Sequence, residues 1–149
     1  GHNTDVVGFE QSLLPYLKAH HQRALVLGTG GAAAAVAYVF RQREIPFQYV
    51  SRTKSATSLA YDDLDEDLMR NHTLVINTTP LGMSPLVDQY PPIPFQWINE
   101  QHHCFDLIYN PAETLFLQKA KATGASIQNG AEMLVIQAEE SWRIWNEKE

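Results

Sequence analysis

A run of four apolar residues, Ala24-Leu25-Val26-Leu27, halts at Gly28-Thr29-Gly30-Gly31 and gives way to Ala32-Ala33-Ala34-Ala35. A short continuous apolar segment stopped by glycine reads as a strand buried on both faces, the kind found in parallel sheets. The small residues after it open a helix that can lie close to that sheet. The turn between them has the spacing Gly28-x-Gly30-x-x-Ala33, and each small residue has a physical task. The first allows a tight turn, the second admits a pyrophosphate against the backbone, and the third permits close helix–strand packing. The helix N-terminus adds unpaired N–H groups and the positive end of its dipole, both suited to phosphate. Strand, loop and helix together predict a dinucleotide site at Gly28, Thr29, Gly30, Gly31, Ala32 and Ala33. An ordinary tight turn and the glycine-rich loop of a methyltransferase are the competing readings.

The alternation continues along the chain. Phe9, Leu13, Tyr16 and Leu17 recur at helical spacing and predict a first helix ending near His20-His21. A helix follows the glycine loop over 32–42, then a strand over 47–50 and an acidic, partly helical stretch over 61–69. Further strands are expected at 73–77, 103–108 and 125–128. Helices are expected at 114–123, with Gly124 as its C-terminal cap, and at 131–146. Prolines 85, 91, 92 and 94 mark an irregular loop. Strands alternating with helices imply an α/β fold of the Rossmann type: a doubly wound, mostly parallel sheet of about five or six strands with helices on both faces.

The end of the second strand bears on the ligand. NAD-binding versions of this unit place Asp or Glu there, about 20 residues beyond the glycines, to hold the ribose 2′-hydroxyl. This chain has Ser51-Arg52-Thr53-Lys54 instead. A carboxylate would repel a 2′-phosphate, whereas Arg52 can pair with it and stack on adenine. Ser51, Thr53 and Lys54 add hydroxyl and cationic donors. The position favours NADP(H) over NAD and weakens the methyltransferase reading, although a solvated basic turn has the same composition.

The length, 149 residues, suits one domain with one substantial core. A net charge of −6 argues against a nucleic-acid partner and leaves an anionic ligand to local donors. The single cysteine, Cys104, excludes an internal disulfide and fits a reducing, cytoplasmic setting. The apolar run over 32–40 is too short to span a bilayer, so no membrane role is expected. No metal site is expected. The chain opens at Gly1 without methionine, which points to processing, a cloning scar at Gly1-His2 or a fragment.

Further segments occur in order: Asn3-Thr4-Asp5-Val6-Val7-Gly8-Phe9, the glycine loop, Ser51-Arg52-Thr53, Asn77-Thr78-Thr79-Pro80-Leu81-Gly82-Met83, Asp106-Leu107-Ile108-Tyr109-Asn110-Pro111, and Asn129-Gly130-Ala131-Glu132-Met133-Leu134-Val135-Ile136-Gln137-Ala138. Together they resemble the shikimate dehydrogenase family across essentially the whole chain, but only that family's C-terminal, cofactor-binding half. The resemblance implies an NADP-dependent oxidoreductase of the chorismate and aromatic amino-acid route that reduces 3-dehydroshikimate to shikimate. On it, residues 1–149 form the NADP-binding domain, and the N-terminal substrate domain, with its catalytic lysine and carboxylate-binding serines, lies outside the chain. The 149 residues are then expected to bind cofactor with little or no turnover.

Carried over by position, the resemblance makes Asp5 a catalytic group against a substrate hydroxyl, where alcohol oxidation needs a proton acceptor. A helix cap by Asn3, Thr4 or Asp5 is the structural alternative. Tyr109 and Gln137 become substrate contacts. Gln137 falls within a helix face of Met133, Leu134, Ala138, Ser141, Ile144 and Trp145, where a polar amide needs a partner. Gly130 would let the nicotinamide approach, with Met133 nearby, and Asn77, Thr78, Met83 and Leu107 would line its ribose. Trp97, Trp142, Trp145 and the histidine pairs 20–21 and 102–103 are expected to be packing or solvated surface. His2, Val6 and Ala56 depart from the family pattern, the last where a second basic residue often meets the 2′-phosphate. A quinate or quinate/shikimate dehydrogenase and a non-catalytic NADPH sensor are the alternatives; a sensor has no need of Asp5 with Gln137.

Overall fold

The strands alternate their side chains between two faces, and this divides the core in two. The computed structural model describes residues 2–147; Gly1 and the side chains of His2 and Asn3 lie outside the described residues. Ala24 and Val26 of β1 (Ala24–Leu27), Leu74 and Ile76 of β4 (Leu74–Asn77) and Phe105 of β5 (His103–Asp106) share one cluster. It is closed by Phe9 and Leu13 of α1 (His2–Leu13), Val36 and Phe40 of α2 (Gly31–Gln42), and Met133 of α5 (Ala131–Glu147). Leu25, Leu27, Val75 and Cys104 point to the opposite face. There they meet Met69 of α3 (Glu66–Asn71), Phe116 and Leu117 of α4 (Leu115–Ala122), and Ile93 and Ile98 of the proline-rich loop. Coverage on both faces is why the strands read as continuous apolar runs.

With β2 (Phe47–Ser51), β3 (Ser58–Ala60) and β6 (Ser126–Gln128), the sheet has six strands in the order β3-β2-β1-β4-β5-β6. Every neighbouring pair is parallel. This is the doubly wound order in which the chain reverses direction across the sheet between β1 and β4. Ligands bind such sheets in the crevice at the carboxyl ends of the strands, at that switch point.

Three elements depart from expectation. The first helix stops at Leu13, and a 3-10 turn over Leu14–Tyr16 replaces its predicted continuation to His20. Pro15 is the cause, because it lacks an N–H and its ring crowds the preceding turn. Strand β3 was not expected: it is three residues at a sheet edge with Leu59 as its one large apolar side chain, too little for a periodic signal. On α5, Leu134, Trp142 and Trp145 of the predicted face are exposed, and Met133 is the residue buried in the core. The packed side of α5 faces α1, with Gln137 toward it. Asp5 lies within the first turn of α1, one turn inside the position a cap would occupy. Gly124 does close α4, at φ +94°. No helix among the described residues is long and apolar enough to cross a membrane.

Candidate functional site

Because all six strands run the same way, Gly28, Arg52, Tyr61, Thr78, Leu107 and Asn129 follow strand ends along one edge. A cleft of about 600 Å³ opens there between the glycine loop, Ser51-Arg52-Thr53, Tyr61, and the segment from Thr78 to Leu81. Gly28 sits at φ +108°, and a Cβ there would stand 2.5 Å from the Thr78 hydroxyl oxygen. Backbone conformation and crowding both require glycine at that position. Thr78 in turn is tied down, its hydroxyl and N–H both donating to the Leu27 carbonyl at 2.6 and 2.9 Å.

Gly30 is different. Its φ of −84° and ψ of −161° suit any residue, and a Cβ would meet nothing within 4 Å. The fold does not need glycine here; the bare space lies at the mouth of α2, where a phosphate would approach. The first backbone bond of α2 runs from Ala34 N–H to Gly30 C=O, so the N–H groups before it have no acceptor within the helix. Gly31 opens that helix, Thr29 is an exposed member of the cleft wall, and Ala33 is buried in the core.

At the far end of this cleft, Arg52 makes no ion pair among the described residues. Ser51 shapes the loop with its hydroxyl, which donates to the Thr53 carbonyl at 2.8 Å and lies 2.7 Å from Ser58 Oγ. Lys54, read from the sequence as a cofactor contact, stands outside the cleft wall with its ammonium 3.8 Å from Asp63. Asn77 also differs from its expected role. It is fully buried, donates to Asp106 at 3.1 Å, and accepts from the Thr79 N–H and hydroxyl at 3.0 and 2.7 Å. It positions the 78–82 loop and presents nothing to the cleft.

Asp106, fully buried, gathers three segments of the edge. It accepts from Asn77, from the Ile108 N–H at 3.1 Å and from the Thr114 hydroxyl at 2.6 Å, Thr114 being the N-cap of α4. Burial pushes its carboxyl up to about 6 despite those donors, which pull it down.

A second cavity, of about 210 Å³, lies beyond the glycine loop. Asp5, Tyr109, Gln137, Gly130, Met133 and Leu107 line it, with Ala32 bringing α2 to its wall. Gln137 donates through Nε2 to Asp5 Oδ1, so the partner its position demanded is the carboxylate of Asp5. Gly8 makes the pair possible, because a Cβ there would stand 2.7 Å from Gln137 Cγ and 2.9 Å from the Met133 carbonyl. Gly130 answers first to the fold: its Cβ would fall 1.9 Å from the Leu107 carbonyl oxygen. Its bareness serves the backbone at the end of β5, whereas the sequence reading assigned that space to a ligand. Between the two cavities a shallower one of about 410 Å³ is lined by Thr78, Met83, Leu107 and the half-exposed Tyr109.

Sequence reasoning missed Tyr61, Gly8 and Asp106. Asp106 carried a signal, as a carboxylate ending an apolar strand. Tyr61 and Gly8 carried none, because their neighbours come from elements distant in sequence.

No protein-family model matches the chain. The shikimate dehydrogenase (NADP(+)) of Desulforamulus reducens is 36% identical over 165 residues, covering 97% of this chain and 57% of that protein. Among solved structures, the shikimate 5-dehydrogenase of Thermus thermophilus in complex with NADP(H) and shikimate is 31% identical at a TM-score of 0.79. The match covers 95% of this chain and 56% of that one. A chorismate mutase/shikimate 5-dehydrogenase fusion protein from Clostridium acetobutylicum is 32% identical at a TM-score of 0.80, with 97% and 55% covered. The chain thus spans a little over half the length of the relatives it matches.

Proposed function

Because this chain is a sequence relative of the C-terminal part of the shikimate dehydrogenases, we propose that it is the NADP(H)-binding domain of an enzyme that reduces 3-dehydroshikimate to shikimate with NADPH. The observation that carries the reading is the second cavity, where Asp5 and Gln137 meet beside Tyr109 at the edge that holds the glycine loop.

The residues present fit the cofactor. The α2 N-terminus and the bare Gly30 suit a pyrophosphate, and Arg52 suits a 2′-phosphate. When bound, the nicotinamide exchanges a hydride with the substrate carbon. The protein's part is to hold the alcohol and manage its proton. Gln137 keeps one oxygen of Asp5 occupied and its carboxylate in place. In the oxidation direction the other oxygen accepts the hydroxyl proton; in reduction it returns one. Tyr109, at the cavity wall, supplies a further hydroxyl to a polyhydroxylated ring.

These 149 residues bind NADPH but do not turn over alone, because the family pattern puts the lysine partner of Asp5 and the carboxylate-binding serines in a separate domain. The test is a pair of measurements on the chain: calorimetric titration with NADPH, and NADP-dependent oxidation of shikimate and of quinate. Binding without turnover is expected. Absence of NADPH binding overturns the cofactor reading, and substantial turnover overturns the division of labour.

A further inference from the structure

Resting on the NADP(H) reading, we propose that the hydroxyl of Tyr61 is a second donor to the 2′-phosphate of the cofactor, alongside Arg52. Strands β2 and β3 pair in parallel with Ser51 opposite Ala60. The residues that follow, Arg52 and Tyr61, therefore leave the sheet side by side at its carboxyl edge. Both line the same cleft as Gly28 and Gly30.

Of the other groups near this corner, Thr53 keeps its hydroxyl for the cleft, while Ser51 and Lys54 are already committed. The Ser51 hydroxyl is held by Thr53 and Ser58. Lys54 is turned to Asp63, and Ala56 has no donor side chain. Asp63 also accepts from the Ala60 N–H at 2.9 Å, which fixes the turn that carries Tyr61. The Tyr61 ring packs against the core. Its hydroxyl makes no hydrogen bond to any described residue. Burial pushes this phenol up to about 12, partly opposed by Arg52, so it keeps its proton at neutral pH and can only donate to a phosphate dianion. The phenol then shares the oxygens of the 2′-phosphate with Arg52 and the Thr53 hydroxyl, and it does so without adding charge.

The experiment compares dissociation constants for NADPH and NADH in the wild-type chain and in Tyr61→Phe, with thermal melts verifying that both fold alike. Losing one hydrogen bond to a charged group should weaken NADPH binding about tenfold. NADH, which lacks the phosphate, should bind both proteins equally. Unchanged NADPH affinity, or equal weakening toward both nucleotides, overturns the assignment of Tyr61 and leaves the cofactor reading intact. A wild-type chain that fails to bind NADPH overturns both.

Discussion

The two edges of the sheet use polar side chains in opposite ways. At the amino edge, His21, His72, His102 and His103 precede or begin strands, and all four are buried. Each ring is hydrogen-bonded. His21 Nδ1 accepts from the Lys18 N–H at 3.0 Å, and His72 lies 2.7 Å from the Leu68 carbonyl. His102 joins the Asn99 N–H to the Met69 carbonyl at 3.1 and 2.8 Å. His103 joins Ser126 to Gln128 at 2.7 and 2.9 Å under the stacked ring of Tyr16. At the carboxyl edge, Thr29, Arg52, Tyr61 and Tyr109 line cavities with side-chain hydrogen-bonding capacity unused among the described residues. These rings are spent on the scaffold, in keeping with the sequence reading of the pairs 20–21 and 102–103 as packing or surface. Spare hydrogen-bonding capacity, more than polarity, separates the site from the scaffold.

Three experiments break or sharpen that contrast. The largest effect is expected from Gly130→Ala, which drives a Cβ into the Leu107 backbone. Backbone cannot yield as a side-chain tip can, so urea denaturation should register a loss of ~3 kcal/mol. A loss below ~1 kcal/mol would mean that the carboxyl edge is not rigidly built.

Acid should act next, and at the amino edge. Burial lowers all four histidines from 6.5, His21 to about 4. As pH falls below 6.5 the unfolded chain takes up protons first, so stability is full above that value and declines toward pH 4. Asp106 works the other way. Its folded carboxyl, raised from 3.8 to about 6, takes up a proton before the unfolded one and adds stability across that interval. With four histidines against one carboxyl, the melting temperature should fall between pH 6.5 and 4. A flat profile would mean that the buried rings are not held neutral by the fold.

The smallest change in stability belongs to Gly30→Ala, whose Cβ enters open space. Denaturation should shift by no more than ~1 kcal/mol, part of it from placing alanine at a helix N-cap. NADPH affinity should nevertheless drop about tenfold, equivalent to ~1.4 kcal/mol. If stability falls as far as in Gly130→Ala, the two glycines do the same work and the distinction between scaffold and site fails there.

Much of the fold was legible in the sequence because burial leaves a local trace. Ala24–Leu27, Leu74–Asn77 and His103–Asp106 are covered on both faces and read as strands, and Ala33 beneath α2 reads as close packing. Three-residue β3 leaves no such trace, and with it Tyr61 went unseen. Helix α5 misled because its apolar residues lie on two sides, and the larger ones, Trp142 and Trp145, are 70% and 65% exposed.

The sequence by itself determined the alternation of strands and helices, the glycine loop at the end of β1 and the cation at the end of β2. These depend on neighbours along the chain, where periodicity, turn chemistry and helix dipoles operate. Only the tertiary structure decided that Gln137 would meet Asp5 through the gap left by Gly8, and that Gly130 is bare for Leu107. It alone put Tyr61 beside Arg52. Each of these depends on the register between elements far apart in sequence, and register is set by how whole faces pack, which no local pattern records.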